Sequence, residues 1–193
     1  MNLPNQITVA RLGLTTLFVL VLVAEIRWAW SWGAILFIIA SVTDYFDGYL
    51  ARKHGLVTNF GALMDPLVDK ILMCSAFVLL SCSEEIPPWV TCLVVAREFL
   101  VTGLRLVAAS QGAVVSAEGW GKWKTGAQIA VVIYGLIHLA IQEPPFAWLA
   151  PFFTWPLFSP TALGRLLLVL AVFTTVWSGA RYLVNNRYIL KDA

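Results

Sequence analysis

The chain has 193 residues, of which 60% are hydrophobic and only 12% are Asp, Glu, Lys or Arg; 13 basic side chains face 11 acidic ones, for a net charge of +2. Soluble domains carry about 25% charged residues and need them for a polar shell, so this composition excludes an ordinary cytosolic enzyme, a disordered chain and a disulfide-rich secreted module. It reads as an integral membrane protein, in which each charge either sits at an interface or serves a buried purpose.

A bilayer span takes about 20 apolar residues, and six such runs follow one another at 7–24, 31–50, 66–80, 89–109, 125–141 and 161–183. The expected fold is all-α, with six transmembrane helices in one membrane domain covering 1–193. The first run lacks the basic leader and the clear small-residue cleavage site of a signal peptide, so it is expected to be retained. After the second run come Arg52, Lys53 and His54, before the fifth come Lys122 and Lys124, and the C-terminal tail carries Arg181, Arg187 and Lys191. The opposite connections carry Arg27 and Arg165 beside Glu25, Glu84, Glu85 and Glu143. By the positive-inside rule both termini are cytoplasmic. Trp28, Trp30 and Trp32, and the aromatic stretch 146–158 broken by Pro151 and Pro156, suit the outer headgroup level, the latter as a loop on the membrane and not a seventh span. Cys74, Cys82 and Cys92 have no metal or disulfide spacing and are expected to be small core hydrophobes.

The densest charge lies at Asp44-Tyr-Phe-Asp47-Gly48-Tyr-Leu-Ala51-Arg52 and, eight residues on, Gly61-Ala-Leu-Met-Asp65-Pro-Leu-Val-Asp69-Lys70. Residues three or four apart share a helix face, so Asp44 pairs with Asp47 near the end of the second helix and Asp65 with Asp69 at the start of the third. A short turn around His54 and Gly55 brings the pairs together. Carboxylates so placed repel unless neutralised, and an oxygen-only donor set suits magnesium, manganese or calcium better than zinc. Gly48 and Gly61 remove side chains where a bulky ligand would approach, or else serve close helix packing. A pathway of acids through a metal or proton transporter is the competing class. It leaves the glycines and Arg52 unexplained, and the outer helix halves offer few polar groups to continue the path.

The spacing Asp44-x2-Asp47-Gly48-x2-Ala51-Arg52-x8-Gly61-x3-Asp65-x3-Asp69 resembles, without a departure, the signature of the CDP-alcohol phosphotransferase family, with eight fixed residues across 26 positions. The resemblance extends to the six-helix layout. It implies a membrane enzyme that displaces CMP from a CDP-linked lipid with an alcohol. It further implies a centre of two divalent ions, magnesium or manganese, held by Asp44, Asp47, Asp65 and Asp69, with Asp69 also the general base. Gly48, Arg52, Thr58 and Gly61 resemble the contacts to the CDP moiety, and Asn5 and Thr8 the first-helix segment near the nucleotide. Two metals suit in-line displacement at a diphosphate, and Arg52 can donate a planar fork to a phosphate. The sequence has no convincing alternative nucleophile, which favours direct displacement over a covalent intermediate. His54 reads as a solvated turn residue, and His138 lies far from the motif.

Arg97 and Arg105 are eight residues apart on the fourth helix and share a face, where they can hold a phosphate or carboxylate. Against this, Arg97 can simply pair with Glu98, and Arg105, Lys122 and Lys124 lie close enough to an interface to snorkel. The strings Ala96-Arg97-Glu98-Phe-Leu-Val-Thr-Gly103-Leu-Arg105 and Gly121-Lys122-Trp-Lys124-Thr125 resemble the phosphatidylglycerophosphate synthase branch. That branch implies CDP-diacylglycerol and sn-glycerol 3-phosphate as substrates, with Arg97, Arg105 and Lys122 on the acceptor phosphate. Branches making cardiolipin, phosphatidylserine or phosphatidylinositol phosphate are the alternatives. The family also implies a homodimer. No nucleic-acid partner is expected, and a bacterial inner membrane fits the short chain without a transit peptide.

Overall fold

In the computed structural model the backbone is described for residues 3–54, 59–110 and 120–186, and side chains for 9–43, 67, 68, 70–108, 121 and 123–186. The described residues form six long helices: α1 (Leu3–Val23), α2 (Ala29–His54), α3 (Asn59–Cys82), α4 (Pro88–Ser110), α5 (Trp120–Ala140) and α7 (Arg165–Asn185). Each overlaps one of the six apolar runs. The largest departure is α3, which begins seven residues before the expected 66, so Pro66 falls in its second turn and not at its start. The stretch 146–158 is no span. It holds a 3₁₀ turn (Ala147–Leu149) and the short helix α6 (Ala150–Thr154), with Pro151 in the first turn, where a missing amide donor is harmless.

Helix α1 packs on α2 and α3, α5 lies against α2, α3 and α7, and α4 joins α3 to α7. Gly33 lets the first two helices approach closely, since a Cβ there would stand 2.9 Å from Leu22 Cδ2. The core runs through all six long helices: Phe18 meets Phe37 at 5.9 Å, among Leu72, Phe77, Val90, Val94, Val132, Leu136 and Ala171.

The outside is as apolar as the inside. Leu20, Val78, Phe99, Leu106, Val169 and Phe173 are exposed on four different helices. Water would penalise such a surface by roughly 25 cal/mol per Å², whereas lipid does not, so it is the exterior of a membrane protein. Cys82 and Cys92 belong to this surface, not to the core as expected, and Cys74 is half-buried. A membrane bundle needs small hydrophobes on both sides of its helices, so apolar context does not distinguish them. Among the described residues one helical run, Pro160–Asn185, is long and apolar enough by itself to cross a membrane, while Val9–Val23, Ala29–Thr43 and Lys70–Cys82 are shorter apolar stretches. The charges gathered on α2 and α3 shorten the apolar part of each helix at the same end.

Connections 24–28 and 83–87 and the segment 141–164 gather at the far end of the bundle, away from the motif. Glu25, Trp28 and Glu84 adopt left-handed backbone conformations in those turns. Glu143 accepts from the Trp30 amide (3.1 Å), the Ser31 amide (2.8 Å) and the Ser31 hydroxyl (2.6 Å), so it caps α2 from 112 residues away. Two orphan amides and the positive end of the helix dipole explain why a carboxylate sits there.

Candidate active site

Helix α2 carries Asp44, Asp47, Gly48 and Arg52, and α3 carries Gly61, Asp65 and Asp69. Between His54 and Asn59 there are five peptide steps, at most about 18 Å of extended chain, so the end of α2 and the start of α3 lie within that distance of each other. Both acidic pairs thus belong to one end of one helix hairpin. Their side chains, and those of Arg52, Asn5 and Thr8, lie outside the described residues, as does Thr58 altogether. Among the described residues no three His, Cys, Asp or Glu side chains gather into a metal site. Four carboxylates are nonetheless a donor set that fits a hard divalent cation.

One residue beyond Asp69 the described part of the site begins. Lys70 Nζ donates to the Thr102 hydroxyl, which in turn donates to the Glu98 carbonyl at 2.6 Å, tying α3 to α4. Glu98 is the hub of the cluster. It forms a salt bridge with Lys124 of α5 and accepts from Arg97 at 3.2 Å, with its side chain 9% exposed. The second terminal nitrogen of Arg97 donates to Ser178 of α7 at 3.2 Å. Arg105, two turns further along α4, holds its guanidinium carbon 5.7 Å from the ring centre of Tyr182. Lys70 lies within electrostatic range of Glu98, Arg97 and Arg105, and Lys124 within range of Glu98, Arg97 and Lys70. Lys70, Arg97 and Lys124 therefore surround one carboxylate among the described residues, and Arg105 lies within range of Lys70. Such a surplus in an apolar setting can seat an anion.

Arg97 and Arg105, expected to share a face, do join one cluster. Lys122 is on α5, and its side chain lies outside the described residues. The expected Arg97–Glu98 pair also forms, and it does not remove Arg97 from the cluster. Lys124 is corrected: it is buried against Glu98 and does not snorkel. Sequence reasoning passed over Lys70, although it adjoins Asp69 and so sits level with the acids. It also passed over Ser178 and Tyr182, for which a serine and a tyrosine in an apolar helix give no signal.

A second concave region lies at the far end. A cavity of about 380 Å³ is lined by Glu84, Glu85, Tyr134, Thr161 and Arg165, among others. His138 Nδ1 meets Glu85 Oε2 at 3.0 Å on its edge, and the His138 ring stacks with Tyr134.

The sequence profile described as CDP-alcohol phosphatidyltransferase matches residues 1–177. The chain is 45% identical to the CDP-diacylglycerol–glycerol-3-phosphate 3-phosphatidyltransferase of Bacillus subtilis (strain 168), in an alignment covering 100% of this chain and 98% of that protein. It is 37% identical to the enzyme of the same name from Rickettsia typhi, over 79% of this chain and 90% of that one. A probable phosphatidylglycerophosphate synthase of Mycobacterium tuberculosis is 39% identical over 74% of this chain and 68% of its own length.

Proposed function

Because the chain belongs to the CDP-alcohol phosphatidyltransferase family, we propose that it transfers a phosphatidyl group from CDP-diacylglycerol to sn-glycerol 3-phosphate, releasing CMP and forming phosphatidylglycerol phosphate. The carrying observation is the cation cluster around Glu98, built on α3, α4 and α5 beside the acidic motif. An acceptor that brings its own phosphate needs such a seat, and a neutral alcohol does not. The names of the relatives point to the same acceptor.

In this reading Asp44, Asp47, Asp65 and Asp69 hold two divalent cations, magnesium or manganese. When bound, such ions neutralise the diphosphate and make the acceptor hydroxyl more acidic. Arg52 donates its fork to the diphosphate, and Gly48 and Gly61 let the CDP group approach the helix backbones. Asn5, Thr8 and Thr58 contact the nucleotide. Arg97, Arg105 and Lys122 bind the acceptor phosphate, joined by Lys70 and Lys124. That grip directs the hydroxyl at the other end of glycerol 3-phosphate toward Asp69, which takes its proton. The oxygen forms a new bond to the phosphatidyl phosphorus as the bond to CMP breaks, and CMP leaves with the electron pair. The bundle crosses a bacterial inner membrane six times, with the motif end on the cytoplasmic side, where the hydrophilic acceptor is supplied.

The test is CMP release by the purified enzyme with CDP-diacylglycerol, magnesium or manganese, and one acceptor at a time. Glycerol 3-phosphate should support turnover, while serine, inositol phosphate and phosphatidylglycerol should not. Asp69→Asn should abolish it. Arg97→Ala and Arg105→Ala should each raise the KM for glycerol 3-phosphate and leave that for CDP-diacylglycerol in place. Turnover with another acceptor, or unchanged kinetics in both arginine variants, would overturn the assignment.

A further inference from the structure

We infer that the buried face of α7 is the template that aims the acceptor-binding arginines, with Ser178 and Gly179 seating Arg97 and the ring of Tyr182 seating Arg105. The inference rests on the reading of Arg97 and Arg105 as the acceptor-phosphate site.

Helix α7 buries Ala171, Thr175, Ser178, Gly179 and Tyr182, a single stripe at helical spacing, while its other faces are apolar and exposed. Three residues of that stripe carry polar groups, and the hydroxyls of Thr175 and Ser178 and the ring of Tyr182 each meet a side chain of a neighbouring helix. Thr175 accepts from Gln128 Nε2 at 2.9 Å, which fixes α7 against α5. Ser178 donates its own proton to the Thr175 carbonyl at 3.1 Å, so its oxygen presents lone pairs to Arg97. Beside it, a Cβ on Gly179 would lie only 3.2 Å from Arg97 Cγ, so the arginine stem runs directly along the helix backbone.

The Arg97 guanidinium is therefore held at two corners, one nitrogen by Glu98 and the other by Ser178, each at 3.2 Å. Its Nε is buried and has no hydrogen-bond partner among the described residues. With the plane fixed and N–H groups still to donate, the fork is preorganised for an oxyanion. Arg105 is placed differently. The face of an aromatic ring attracts a guanidinium within about 6 Å, and the 5.7 Å separation from Tyr182 satisfies this. A ring face positions the cation without consuming any of its donors. Both arginines of α4 thus take their aim from α7, 81 residues away along the chain in the case of Arg97 and Ser178.

The test compares Ser178→Ala, Gly179→Ala, Tyr182→Leu and Tyr182→Phe, alone and in an Arg97→Ala background, by KM for each substrate, kcat and thermal unfolding in detergent. Ser178→Ala and Gly179→Ala should raise the KM for glycerol 3-phosphate about tenfold, the scale of one hydrogen bond to a charged group. The KM for CDP-diacylglycerol and the unfolding midpoint should stay in place. Tyr182→Leu should act in the same direction and Tyr182→Phe, which keeps the ring, should restore normal binding. In the Arg97→Ala background the Ser178 and Gly179 effects should vanish, because both act through that side chain. If Gly179→Ala fails to fold, Ser178→Ala carries the same comparison. Normal acceptor KM in the Ser178 and Gly179 variants, or effects that add fully to Arg97→Ala, would overturn the template role while leaving the acceptor site standing. An Arg97→Ala enzyme with unchanged acceptor KM would instead overturn the acceptor site itself.

Discussion

At the far end of the bundle Glu143 gives both carboxylate oxygens to the first turn of α2, and Glu85 meets His138, so charge there is consumed by local partners. At the motif end Lys70, Arg97 and Lys124 share Glu98 as their one described carboxylate, while hydroxyls hold Lys70 and Arg97 further and an aromatic ring holds Arg105. The same residue types therefore do different work. A carboxylate whose oxygens are filled by backbone amides is a fastening, and removing it affects stability. Cations that outnumber their acid among the described residues can form a site, and removing one is expected to affect what binds.

Glu98→Gln separates the two ends most sharply. Taking the charge from a buried hub leaves Lys124 and Arg97 uncompensated, at a cost of about 3 kcal/mol or more, seen as a lower unfolding midpoint together with loss of activity. Adding Lys124→Met should recover much of the stability, since an apolar replacement removes the stranded charge, and should not recover acceptor binding. A Glu98→Gln enzyme of normal stability would refute the hub. A smaller effect is expected from Lys70→Met, which should raise the KM for glycerol 3-phosphate about tenfold. Thr102→Val keeps the Lys70 charge and should do less, and equal effects would mean that the hydrogen bond, not the charge, matters. Smallest is the far end. Glu143→Gln should lower stability by about 1 kcal/mol, the scale of a lost helix cap, and His138→Gln by less, as a partly exposed pair is worth about 0–1 kcal/mol. Neither should move a KM, and a change in acceptor KM from either would erase the distinction between the ends.

Much of this was legible in the sequence. Six apolar runs foretold six long helices, because in lipid every backbone polar group must be satisfied within its own segment. The spacing of Asp44, Asp47, Asp65 and Asp69 placed the acids at one end of one hairpin, and Arg97 with Arg105 on one face of α4. Helical spacing fixes which residues share a face, but not which neighbour that face meets. The burial of Lys124 was therefore misjudged, Cys82 and Cys92 were assigned to the wrong side of the bundle, and His138 showed no partner until Glu85, 53 residues away, came beside it.

The sequence by itself determined the fold class, the family and the acids of the motif, since these follow from local hydrophobic content and from spacing within a few turns. Only the tertiary structure decided that Glu98 binds Lys124 across helices, that Glu143 caps α2, and that Ser178 and Tyr182 receive the arginines of α4. Those partners depend on how each helix is rotated about its axis. That rotation is set by packing against several neighbours at once, in a surrounding lipid that leaves apolar residues little preference for the inside.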